Sequence, residues 1–202
     1  MTVGSEPTEV PSRRQLILIL GGARAGKSAF AHSLAAKHGG TVTFLATAEP
    51  LDEEMRRRIE EHRRRRPAAW RTVEAPLSPA RALRDSPPSD VVLLDCLTLL
   101  VSNLLQQERE PSAAARRVEE EIAALLEVFA AGPASFIIVS NEVGLGVVPA
   151  HESGRLYRDL LGRANQRLAH EADQVFWLLA GLAVEVKASG LAATGRQGRV
   201  QA

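Results

Sequence analysis

The sequence has one cysteine, Cys96, in 202 residues. That excludes an intrachain disulfide and any all-cysteine metal site. Aromatics make up only 4%, so a platform for stacking nucleobases is not expected. Neither charge sign is in excess: 25 lysines and arginines face 24 acids. This removes the global argument for a nucleic-acid binder or a polybasic membrane protein, and neither partner is expected. No apolar run approaches the ~20 residues that span a bilayer. The opening stretch MTVGSEPTEVPSRR lacks the charged-then-apolar order of a signal peptide. The expectation is a soluble, cytoplasmic globular protein. The length fits one domain with a sizeable core.

What is present is an alternation of apolar runs and helical patterns. Residues 1–14 are polar and aperiodic and are expected to be a flexible tail, as is 188–202. Between them, 15–187 reads as one nucleotide-binding domain. Gln15–Leu20, Thr41–Ala46, Val91–Leu94, Phe136–Ser140, Val175–Leu179 and Ala183–Lys187 read as strands. Helices are expected from the glycines to about His38, over Leu51–Arg66 and over Ser112–Ala131. Strands apolar on both faces and separated by helices predict an α/β fold, a mainly parallel sheet with helices on both faces. Pro76–Asp90, with several prolines, reads as a connection.

Gly21-Gly22-Ala23-Arg24-Ala25-Gly26-Lys27-Ser28 matches the phosphate-loop pattern G-x-x-x-x-G-K-[ST]. It stands between an apolar strand and a helical pattern, the context this chemistry requires. Glycines let backbone N–H groups converge on phosphate oxygens, and the helix adds its positive end. Lys27 is placed to neutralise the β- and γ-phosphates, and the Ser28 hydroxyl to ligate magnesium. Asp95, at the end of VVLL, stands where open α/β sheets place ligand-binding groups. It reads either as a second magnesium ligand or as a helix cap. Cys96 beside it reads as a small buried filler.

Leu51–Arg66 reads LDEEMRRRIEEHRRRR, with acids first and arginines last, as the helix dipole favours. Leu51, Met55, Ile59 and His62 share one helical face, so His62 is expected on or beside the inward side. Two readings stay open from spacing alone. A neutral imidazole there can attack phosphorus; equally, His62 can be a packed histidine beside a charged face. The arginines suit a triphosphate, a solvated face or a nucleic-acid patch, the last without a second basic segment to support it.

Several segments, in order, resemble one family. They are GGARAGKS, FLATAEPLDEEMRRRIEEHRRRRPAAWRTVEAP, LLDCLTLLVSNLL, VSNEVGLGVVP and GRANQRLA. Together they are similar to the bifunctional adenosylcobinamide kinase / adenosylcobinamide-phosphate guanylyltransferase of cobalamin biosynthesis, over residues 15–187. The departures are Ala25, where the loop often has serine, and Asp95, where some relatives have glutamate.

The resemblance implies a RecA-like P-loop fold and two reactions. ATP or GTP phosphorylates the terminal hydroxyl of adenosylcobinamide. GTP then gives GMP to a histidine, and adenosylcobinamide phosphate takes it, yielding adenosylcobinamide-GDP and pyrophosphate. It implies that His62 is the nucleophile, so guanylylation falls on acidification. It puts the nucleotide on Gly21–Ser28, Ala46, Thr47, Ala48, Arg63, Arg64, Arg65, Arg66, Glu74 and Asp95, with magnesium on Ser28 and Asp95. Asn141, Glu142 and Gly144 fall near substrate, with no role assigned. A homotrimer is implied, with the corrinoid in a groove between subunits. His32, His38, His151 and His170 are read as surface or packing residues.

Overall fold

A computed structural model describes residues 14–189 of the chain. The chain runs β1 (Leu16–Gly21), α1 (Lys27–His38), β2 (Val42–Ala46), α2 (Glu53–Arg64), β3 (Arg71–Glu74), α3 (Pro79–Arg84) and β4 (Val91–Asp95). It continues through α4 (Leu97–Gln107), α5 (Pro111–Ala131), β5 (Ser135–Val139), α6 (Glu152–Glu171), β6 (Gln174–Leu179), β7 (Leu182–Glu185) and α7 (Val186–Ser189). The strands form one sheet in the order β3-β2-β4-β5-β1-β6-β7. Every pairing is parallel except β6 with β7.

The double-sided apolar runs explain the sandwich. Strand side chains alternate faces, and both faces are covered. Leu16 and Leu18 of β1, Val92 and Leu94 of β4, and Phe136 and Ile138 of β5 meet the buried sides of α4, α5 and α6. Ile17, Ile19, Val91, Leu93, Ile137 and Val139 face the other way, onto Ala31 and Ala35 of α1. The small alanines let α1 lie close to the sheet. This is the α/β P-loop architecture expected from the sequence.

Differences lie at the edges. The last strand is Leu182–Glu185, antiparallel, and the chain turns helical from Val186. Ala180 and Gly181, both at positive φ (50° and 85°), form the two-residue turn that feeds it. The proline-rich 76–90 connection contains α3, with Pro79 in its first turn. Arg71–Glu74 is a four-residue edge strand too short for periodicity to announce. Helix α2 is shorter than its charge pattern, starting after Asp52, whose carboxylate accepts the Met55 N–H at 2.7 Å.

The two expected tails lie almost wholly outside the described residues. Of the first, Arg14 is described: its Nη1 donates to the Phe129, Ala130 and Gly132 carbonyls at the end of α5. Lys187 does the same for α6, donating to the carbonyls of Ala169, His170 and Ala172. Both cations satisfy orphan C-terminal carbonyls. Among the described residues no helix is long and apolar enough to cross a membrane.

Candidate nucleotide site

The carboxyl ends of the parallel strands form a ledge, and the phosphate loop rises from its middle. Gly21 ends β1 at φ +148°, and a Cβ there would stand 2.5 Å from the Leu178 carbonyl oxygen. Glycine is thus required there by sheet packing. Arg24 (φ 59°) and Gly26 (φ 96°) turn the loop back toward α1. Lys27 is buried and its Nζ donates to the Gly22 carbonyl at 2.7 Å, closing the loop. Burial lowers its pKa; Cys96 and Asp95 pull it partly back. The β6–β7 turn backs the loop, with Gly181 N–H donating to the Ala25 carbonyl at 3.1 Å.

Sheet register places Glu74, Ala46 and Asp95 in one row across this ledge. Glu74 is exposed. Asp95 is half-buried, and its Oδ2 is buried without a hydrogen bond from any described residue. Thr47, fully buried, pins the next turn: its hydroxyl donates to the Cys96 carbonyl at 2.7 Å and accepts the Cys96 N–H at 2.9 Å. Asn103 of α4 donates to the carbonyls of Thr47 and Pro76. Burial, with Asp95 adding to it, pushes the Cys96 thiol up to about 11, so it is a neutral filler as expected.

One expectation is corrected. His62, expected on or beside an inward face, is exposed, and no residue of α2 is buried. The stripe itself is real, since Met55 and Ile59 are half-buried. Two such residues are too narrow an apolar strip to lay the helix against the sheet, and Leu51, 69% exposed, adds nothing. The arm is held at its C-terminal end instead. Arg66 stacks on the Phe44 ring, 3.5 Å from its centroid, and donates to the Thr72 hydroxyl at 3.5 Å. Burial lowers its pKa, with Asp95 and Glu74 opposing that and Arg63 adding to it. The Arg66 Nε is buried with no described partner.

The four arginines are therefore not equivalent. Arg64 and Arg65 pair with Glu60 and Glu61 within the helix. Arg66 is folded inward, and Arg63 has no ion pair among the described residues. His32, expected to be a surface or packing residue, is half-buried in an aromatic setting. It sits edge-on to Phe44 and Trp70, its ring centroid 5.8 Å and 5.2 Å from theirs. Burial lowers its pKa most, Asp95 opposes, and Arg66 and His62 lower it further. His62 itself is exposed to solvent on α2. No spacing rule marks His32, because its neighbours come from other elements. Thr98 and Asn103, the polar residues among the buried positions of α4, were the available signal for the pinned turns.

Asn141 and Glu142 follow β5 directly beside the loop. Asn141 N–H donates to the Thr98 hydroxyl at 2.8 Å, and Glu142 N–H to the Gly21 carbonyl at 3.2 Å. His38 bonds the Ser135 hydroxyl at 2.9 Å, while His151 and His170 are exposed.

Residues 17–186 match the family described as cobinamide kinase / cobinamide phosphate guanyltransferase. The chain belongs to that family. It is 47% identical over 175 residues to the bifunctional adenosylcobalamin biosynthesis protein CobP of Pseudomonas aeruginosa, covering 86% of this chain and 98% of the relative. It is 40% identical over 181 residues to the bifunctional adenosylcobalamin biosynthesis protein CobU of Salmonella typhimurium, covering 85% and 99%. The CobU of Escherichia coli is 39% identical over the same length. As a cobinamide kinase / guanylyltransferase family member the chain is a nucleotide-using transferase of cobalamin biosynthesis, and the ledge is its candidate active site.

Proposed function

We propose that ATP and GTP bind with their β- and γ-phosphates in Gly21–Ser28, and that His62 carries GMP between the two half-reactions. The observation that carries this reading is the closed loop, with buried Lys27 in the field of Asp95, whose Oδ2 has no hydrogen bond from a described residue. In the kinase step the terminal hydroxyl of adenosylcobinamide attacks the γ-phosphorus, loses its proton, and the nucleoside diphosphate leaves. In the transfer, a neutral His62 nitrogen attacks the α-phosphorus of GTP and pyrophosphate leaves. The phosphate of adenosylcobinamide phosphate then attacks the same phosphorus, forming adenosylcobinamide-GDP and freeing the imidazole.

Lys27 neutralises the phosphates, while Ala46, Thr47, Ala48 and Glu74 line the ledge. Arg63 is free to meet the triphosphate, Arg66 reaches it from its seat on Phe44, and Arg64 and Arg65 strengthen the local positive field. Because no residue of α2 is fully buried, and only Met55 and Ile59 are half-buried, moving His62 toward the α-phosphorus disrupts little packing. Among the described residues no three His, Cys, Asp or Glu cluster as a metal cage. One buried carboxylate oxygen and one hydroxyl suit magnesium, which keeps waters and phosphate oxygens as ligands. Ser28 and Asp95 would hold it, and when bound it supplies charge neutralisation on the phosphates. A homotrimer with the corrinoid in a groove between subunits fits the apolar edge strand described below. The cytoplasm, where both nucleotides are held, is the proposed location.

The test is mass spectrometry after incubation with GTP and magnesium. The expected result is a gain of one GMP on the peptide carrying His62, acid-labile and base-stable, and absent from His62→Asn. A GMP adduct surviving in His62→Asn rejects the assignment.

A further inference from the structure

Val143–Ala150, reading VGLGVVPA, is eight residues without one polar side chain. Three of them are presented to solvent: Leu145 is 80% exposed, Val147 96% and Val148 60%. Isolated exposed aliphatics are ordinary, but three within four residues form a patch. The patch does not sit on a loose loop. Asn141 is tied on both sides, its N–H to Thr98 and its carbonyl accepting from Asn165 Nδ2 at 3.1 Å. At the other end Arg155 Nη1 donates to the carbonyls of Pro149 and Ala150, at 3.1 and 2.7 Å. Val143 packs inward on the core. The loop holds its aliphatic tips out from fixed ends.

Its place gives those tips a use. β5 is hydrogen-bonded to β1, so this loop and the phosphate loop leave neighbouring strands on the same ledge. They are joined by the bond from Glu142 N–H to the Gly21 carbonyl at 3.2 Å. A hydroxyl that attacks a γ-phosphate must come within about 3.5 Å of it. The body of the acceptor therefore has to lie against whatever flanks the phosphate loop. The corrin macrocycle is broad and its faces carry methyl groups and methylenes.

Resting on the function proposed above, we infer that Leu145, Val147 and Val148 are the apolar lip on which the corrin ring of the acceptor lies during both transfers. They act as binding and specificity-determining residues and touch no reacting atom. A second copy of the chain is the competing occupant. The β6–β7 edge suits that role better, with Leu179, Leu182, Val184 and Val186 exposed on consecutive elements at a sheet margin.

The test compares Leu145→Ser, Val147→Ser and Val148→Ser with Leu145→Met and Val147→Ile in the intact protein. Kinase KM for cobinamide, kcat, GMP adduct formation from GTP alone and sedimentation are measured. The expected result is a cobinamide KM raised about tenfold by each serine. The apolar replacements restore it, while kcat, the adduct and the oligomeric state stay unchanged. An unchanged KM overturns the inference, as does a KM change that comes only with altered sedimentation, which assigns the loop to a subunit contact. If the wild-type protein does not phosphorylate cobinamide, the functional reading fails first. If it does and the serine variants match it, only the lip fails.

Discussion

Three side chains at the ledge have environments that set what they can do. Lys27 is buried, which lowers its pKa, while Cys96 and Asp95 oppose that shift; tied to the Gly22 carbonyl, it serves as a fixed charge within the loop it closes. Arg66 gives up exposure to stack on Phe44, which needs the planar guanidinium and not merely a positive charge. Cys96 is the opposite case, a thiol kept neutral. With its pKa near 11 rather than 9, the thiolate fraction at pH 8 is about a hundredfold below that of an ordinary cysteine. Iodoacetamide should therefore alkylate the folded protein about a hundredfold more slowly than the denatured chain, followed by intact mass. Equal rates would show the thiol is open to water. Cys96 and Lys27 were legible in the sequence, one from its apolar neighbours and the other from its motif. His32 was not, because the rings and charges around it are contributed by β2, β4, α2 and the segment between α2 and β3.

At the scale of elements, the sequence pattern marked which residues share a face but not what that face meets. The stripe of α2 is present, yet the helix hangs from Arg66, since an amphipathic pattern carries no information on the width of the receiving surface. The α3–α5 contact was equally hidden. Glu121 of α5, 6% exposed, accepts the Ala80 N–H of α3 at 2.8 Å and so satisfies an orphan donor in its first turn. Burial raises its pKa, with that hydrogen bond, Arg117 and Arg84 opposing. A carboxyl raised in the folded state binds its proton more tightly there than when unfolded. Its contribution to stability is thus full below the ordinary carboxylate range and lost as pH rises through the folded value. Glu121→Gln keeps an acceptor oxygen and removes the charge, so it should flatten the loss of stability across that window. Glu121→Ala orphans the Ala80 N–H and should cost about 1–2 kcal/mol. Urea unfolding at pH 5 and pH 8 separates the two. A glutamine variant with the wild-type pH slope would remove Glu121 from the account.

For the whole molecule, the central five strands were legible because burial on both faces leaves unbroken apolar runs. The margins were legible only in part: β7 was expected, with its bounds shifted, and β3 was not. β3 is four residues long with alternating exposure, and β7 carries its aliphatics outward, so neither follows the rule that apolar means interior. That reversal at β7 is itself informative. Leu182 is 72% exposed and Val184 54%, on the antiparallel strand that ends the sheet among the described residues. Proteins normally blunt such an edge with charge or cover it, and the trimer proposed above would supply a neighbouring subunit as the cover. Light scattering should then give about three times the chain mass of 21.8 kDa. Val184→Asp should bring it to one chain mass by burying an unpaired charge in the contact, and Val184→Ile should leave it at three. A wild-type monomer, or a trimer indifferent to the aspartate, would place the contact elsewhere. The monomeric variant also decides whether His62 serves its own nucleotide. Retained GMP adduct formation from GTP alone keeps both groups on one chain, and its loss with folding intact makes the transfer a reaction between neighbours.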